Sequence, residues 1–138
     1  MANEALVSTI KVIVGQARAG KLDAAYAGYR DLFSSPSFRT YEAADRRQAL
    51  RLMVHAKGVP DPASAAMVDA HRAAIEPLTE LVSAHAEPGD YEMLGMCHVV
   101  LGNETGAGTV FRAALAIERE RNPGSDLCGT LMKRVSML

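Results

Sequence analysis

The sequence is poor in most of what would announce a chemistry. It has no tryptophan, 3 phenylalanines and 4 tyrosines, so aromatic residues make up only 5% of a chain that is 49% hydrophobic. The apolar content is therefore mostly alanine, leucine, valine and methionine, residues that favour helices able to approach one another closely. Only two cysteines occur, Cys97 and Cys128, and the opening MANEALVSTI carries Glu4 and no basic leader. That pattern argues against a secretory leader and for a reducing, cytoplasmic setting. No apolar run approaches the roughly 18 residues of a membrane span, so no membrane partner is expected. The net charge of -1 provides no global field for nucleic acid or an acidic surface, which makes nucleic acid an unlikely partner.

Reaction-centre motifs are missing as well. The chain holds no GxSxG, HExxH or paired-carboxylate constellation. Gly102, Gly106 and Gly108 are not followed by GK[ST] and follow no strand, so they do not make a phosphate loop. Metal ligands on a helix must be three or four residues apart to share a face. None of His55, His71, His85, His98, Cys97 or Cys128 has another His, Cys, Asp or Glu at either spacing. Cys97 beside His98 therefore reads as packing. The expectation is no enzyme, no metal and no cofactor.

What is present is helical periodicity. At 138 residues the chain suits a single domain over 1–138, folding of which hides roughly 68% of the unfolded surface. Apolar residues recur at 3.6-residue spacing throughout, which predicts seven helices and no sheet. Leu6, Ile10, Ile13, Val14 and Ala17 form the first stripe, ended by Gly20. Leu22, Ala25, Tyr26, Tyr29, Leu32 and Phe33 form the second, broken by SSPS at 34–37. Thr40 is expected to cap a third helix with Tyr41, Ala44, Ala49, Leu52, Met53 and Ala56 inward and Gly58 at its end. Asp61 and Pro62 should open the fourth as cap and first residue. Met67, Ala70, Ala74, Leu78, Leu81, Val82 and His85 stay in phase across Pro77, either as one kinked helix or as two abutting ones. EPGD at 87–90 precedes a fifth helix from about Tyr91 to Leu101. Asn103 caps a sixth with Ala107, Val110, Phe111, Ala114 and Ile117 inward. Ser125 caps a seventh carrying Leu127, Leu131, Val135 and Leu138. Short links favour antiparallel hairpins.

The fifth and sixth helices read Tyr91-x2-Leu94-Gly95-x2-His98-x8-Ala107-x3-Phe111-x2-Ala114. This resembles the tetratricopeptide repeat in residue type and interval, with tyrosine and histidine at the family's tryptophan and tyrosine positions and the closing proline displaced to Pro123. Ala25-x3-Tyr29-x2-Leu32 with Pro36 repeats the second half of the pattern, and Ala70, Ala73, Ala74, Ile75 and Pro77 repeat it weakly. The resemblance implies three repeats, at about 4–37, 40–77 and 88–123, stacked as a short all-α solenoid with a capping helix over 125–138. Gly95 and Ala107 then lie where two helices approach most closely, with Phe111 beside them.

In that family the inner surface binds other proteins. The resemblance places Gln48, Leu52, His55, Glu92, Met93, Met96 and Val99 in the groove, where methionine suits an adaptable surface. It implies a non-enzymatic adaptor holding a peptide or helix of another protein. One alternative is a small bacterial secretion chaperone, often dimeric, that binds unfolded clients. The basic and asparagine residues with which some relatives clamp a C-terminal carboxylate are missing from the best repeat. Arg46, Arg47 and Arg51 on the third helix form a solvated face or, as a further alternative, an anion or nucleic-acid site.

Overall fold

The structure, a computed structural model, describes residues 3–138. Among the described residues it is all-helical, with α1 (Glu4–Arg18), α2 (Leu22–Ser34), a 3-10 turn (Pro36–Thr40), α3 (Ala43–Val54), α4 (Ala65–His85), α5 (Pro88–Val100), α6 (Glu104–Arg121) and α7 (Asp126–Ser136). No strand occurs among them. Contacts group the chain into two compact units, one reaching to Pro77 and the other Leu78–Leu138.

In the first unit, Asn3 starts α1 by accepting from the backbone N–H groups of Ala5 and Leu6 at 2.9 and 3.2 Å. Gly20, at φ +80°, lets the chain reverse after α1 into α2. The two helices lie close because Gly28 faces Ile13: a Cβ at Gly28 would stand 2.8 Å from Ile13 Cγ1. The scarce aromatics gather here. Tyr29 and Phe33 stack at 5.7 Å, Phe33 meets Phe38 edge-on at 5.3 Å, and Phe38 meets Tyr41 at 6.1 Å. Phe38 is 1% exposed, so the 3-10 turn is a core element of this unit.

That turn corrects the expected start of α3. Thr40 does not cap α3; its hydroxyl donates to the Ser37 carbonyl at 2.6 Å and closes the 3-10 turn. The residue before α3 is Glu42, with no side-chain cap. The buried face of α3 also differs from the expected one. Ala49 and Met53 are buried as expected, but so are Leu50 and Val54, whereas Ala44 and Ala56 are exposed, Tyr41 and Leu52 are half-buried, and the helix stops before Ala56. The apolar residues of α3 occupy two adjacent rows, and periodicity alone does not choose between them.

Asp61 and Pro62 do not begin α4. They form a cis peptide in the preceding loop, and Ser64 caps the helix, its hydroxyl accepting from Met67 N–H at 3.2 Å and its carbonyl from Val68 N–H. Helix α4 is one continuous element with Pro77 inside it, not two abutting helices. Met67, Ala70, His71 and Ala74 are buried in the first unit, Leu78 and Leu81 in the second, while His85 is exposed.

In the second unit α5 begins at Pro88, earlier than Tyr91, because proline at the first helical position costs no hydrogen bond. Asn103 caps α6 through Gly106 N–H at 2.9 Å, and Ser125 caps α7 through Cys128 N–H at 3.0 Å. Ala107, Phe111, Ala114, Leu115, Cys128 and Leu131 make one core cluster, against which Tyr91, Met96, Leu127 and Val135 pack. A Cβ on Gly95 would stand 2.4 Å from Phe111 Cε1, so glycine sets the approach of α5 to α6. Val110 and Ile117 are only half-buried; Gly108, Leu115 and Glu118 are buried in their stead, since α6 packs against both α5 and α7. Leu138 is 43% exposed rather than part of the inward face of α7.

Candidate functional site

The residues expected to line one groove fall into different surroundings. On α3, Gln48 and His55 are exposed and Leu52 is half-buried. On α5, Met93 is 1% exposed and belongs to the interior, which removes it as a groove contact. Glu92 is also buried, and Arg134 Nε of α7 donates to its Oε2 at 3.2 Å, so it faces its own unit. Met96 is half-buried against the α6 and α7 core, and only Val99, 44% exposed, keeps a free apolar surface. Helix α5 is apolar nearly all round because it is enclosed, which is the ordinary reason for such a helix.

Cys97 and His98 sit in packed surroundings. Cys97 is fully buried, and burial pushes its thiol up to about 12, far from the thiolate that nucleophilic or ligating chemistry needs. His98 is half-buried; the Asn103 amide donates to its Nδ1 at 3.3 Å, and burial lowers its pKa. Tyr91, Leu94, His98, Ala107, Phe111 and Ala114 thus serve packing or the α5 to α6 connection. Of the basic cluster, Arg46 and Arg47 are half-buried and Arg51 is exposed; the Arg46 Nε is buried and makes no hydrogen bond among the described residues.

Two concave features of the first unit lie along α1 and α2. One is a cavity of about 540 Å³. Val14, Ala17 and Arg18 of α1 form one wall, Ala25, Tyr26 and Tyr29 of α2 the next, and Leu52 and Met53 of α3, with Lys57 and Val59 beyond it, the third. Burial raises the pKa of Tyr26, and burial followed by the charge of Tyr26 raises that of Tyr29, so both phenols stay protonated across the physiological range. Behind Tyr26, at a ring-centroid distance of 6.2 Å, lies His71, 3% exposed. With Nδ1 protonated, the ring donates to the Met67 carbonyl at 2.8 Å; burial lowers its pKa, so the neutral ring is the stable form.

The other feature is a shallower, more open groove of about 680 Å³ between α1 and α2. Val12, 62% exposed, stands at it, with Ile13 and Leu32 as apolar lining and Ala24, Ala27 and Gly28 keeping the α2 surface low. Asp31 is its single charged lining residue, and Arg30 already pairs with it at 3.0 Å.

The sequence marks Tyr26 and Tyr29 as one helix face but not as cavity walls; it groups Lys57 with the basic cluster of Arg46, Arg47 and Arg51 instead of with Arg18, which stood unremarked. A signal was there: Val14 with Arg18, and Met53 with Lys57, each place a cation four residues beyond an apolar position, where two apolar stripes run out.

Among the described residues, no group of three His, Cys, Asp or Glu side chains is placed to hold a metal ion, and no helix is long and apolar enough to cross a membrane. Compared with protein-family models, curated proteins and solved structures, the chain matches none. The class that the fold defines is an all-helical protein, and its first unit carries a cavity with largely apolar walls.

Proposed function

We propose that the chain is a non-enzymatic adaptor, a helical-hairpin module of tetratricopeptide kind that holds an apolar-faced helix of another protein. The observation that supports this most is the open groove between α1 and α2. Small and apolar side chains alternate there with the uncharged Thr9, Gln16, Ser35 and Ser37, its one charge is paired, and it leaves Val12 62% exposed. A surface of this make-up suits a helix laid along it, anchored by apolar residues at helical spacing. Covering Val12 contributes only about 1–2 kcal/mol, so useful affinity requires several such contacts along the groove. This reading puts the docking surface on α1 and α2 instead of on Met93 and Glu92 of α5.

The test is site-specific photo-crosslinking in cells that express the protein. A benzophenone amino acid at position 12 should trap a partner, and adding Ala24→Glu, at an exposed position, should abolish the adduct without lowering the melting temperature. A crosslink that survives Ala24→Glu, or that forms only from position 132 on α7, refutes the reading.

A further inference from the structure

The cavity enclosed by α1, α2 and α3 is distinct in chemistry from the docking groove. Its volume of about 540 Å³ falls within the roughly 300–1,000 Å³ typical of small-molecule sites, which are apolar walls carrying a few polar groups. The charged groups here have one sign, and the tyrosine hydroxyls beside them can donate. Tyr26 and Tyr29 are 5% and 7% exposed and line the cavity, yet neither hydroxyl makes a hydrogen bond to protein among the described residues. Both hydroxyl oxygens keep solvent access through the cavity and can donate to an acceptor placed in it.

Charge gives the second, independent indication. Arg18 and Lys57 are exposed lining residues, neither has an ion-pair partner among the described residues, and no Asp or Glu lines the cavity. An amine or a sugar would leave those cations uncompensated. A small, fully hydrophilic anion such as phosphate would meet the cations but gain nothing from walls made by Val14, Leu52 and Met53.

We infer that this cavity binds a free amphipathic monocarboxylate, an acid of medium aliphatic or aryl-alkyl chain. The tail lies on the apolar walls, and the carboxylate takes charge-assisted bonds from Arg18 and Lys57 and hydrogen bonds from the tyrosine hydroxyls. Both phenols are donors in this arrangement, in keeping with the raised pKa that burial imposes on them.

The test is calorimetric titration of the full chain with octanoate, octanol and octylamine, three probes with one tail and different heads. Octanoate should bind saturably with 1:1 stoichiometry, octanol about tenfold or more weakly, and octylamine not measurably, since loss of a charge-assisted bond is worth roughly a factor of ten. Arg18→Gln with Lys57→Gln, both at exposed positions, should weaken octanoate by at least about tenfold while leaving octanol unchanged. Tyr26→Phe with Tyr29→Phe should also weaken octanoate, and circular dichroism would establish that each variant is folded. Absence of octanoate binding at millimolar concentration overturns the inference. So does equal binding of the three probes, or an unchanged octanoate affinity in the folded Arg18→Gln, Lys57→Gln variant. None of these outcomes bears on the α1 to α2 docking groove, whose own test is the crosslink.

Discussion

Replacing Gly95 by alanine is the sharpest perturbation of the second unit, because two effects of known size oppose each other there. A Cβ at this position would lie 2.4, 2.6 and 2.7 Å from three atoms of the Phe111 ring. Carbon atoms rest at about 3.5–4.0 Å, so the ring or the helix must retreat by about 1 Å. Phe111 is 1% exposed and packed among Ala107, Ala114 and Leu131, which leaves it little room. Overpacking of this kind costs about 1–3 kcal/mol, and three close ring atoms put it in the upper half of that range. Alanine recovers about 0.8–1 kcal/mol of intrinsic helix preference over glycine. The net expectation is a loss of about 1–2 kcal/mol, or a melting point lower by about 3–7 °C at this chain length. Gly15 and Gly129 provide the control: both are helical and a Cβ at either meets nothing within 4 Å. Gly15→Ala should raise the melting point through preference alone. Thermal unfolding followed at 222 nm reads both variants. Combining Gly95→Ala with Phe111→Leu should show a coupling of about 1 kcal/mol or more. A Gly95→Ala protein that melts higher than wild type, as Gly15→Ala should, would refute the close approach of α5 and α6.

Three further outcomes follow from buried polar groups. His71 has a lowered pKa in the folded state, so as pH falls below its ordinary 6.5 the unfolded chain takes up the proton first and stability drops until the depressed folded value is passed. Urea midpoints measured from pH 8 to pH 4.5 should fall with acid, and His71→Asn should flatten that slope; a slope unchanged by the substitution contradicts a buried neutral ring. Arg134→Ala removes the Nε donor of the 5% exposed Glu92, at a cost of about 1–3 kcal/mol, reduced from a fully buried pair because the Arg134 side chain is 33% exposed. Adding Glu92→Gln should recover part of that loss in a double-mutant cycle. With its thiol pushed up to about 12, Cys97 should resist alkylation in the native protein at pH 8 and react only on unfolding, as mass spectrometry of iodoacetamide-treated protein would show.

Much of the local architecture was legible along the chain. Asn103 and Ser125 cap α6 and α7 and Gly20 ends the first hairpin turn, whereas the sequence left open whether Pro77 splits α4, which the structure shows unbroken. The spacing of Gly95 and Phe111 anticipated a contact that the structure contains. The errors fall where two local solutions compete. Thr40 and Ser64 illustrate this: both are capping residues by type, but Thr40 closes a 3-10 turn held by buried Phe38, and Ser64 takes the role expected of Asp61.

The candidate sites were the least legible part. Met93 and Glu92 look like groove residues on a helical wheel, and Tyr26 and Tyr29 look like core; burial reverses the first pair and gives the second a cavity as well. Cap chemistry, 3.6-residue spacing and the fit of a small residue against a ring act between neighbours in sequence or across one short link, so the chain alone determined its helices and the α5 to α6 contact. Burial depends on what distant segments bring to a face. Only tertiary structure therefore decided which row of α3 is covered, where Glu92 finds Arg134, and that Arg18 and Lys57 meet two tyrosines around one apolar cavity.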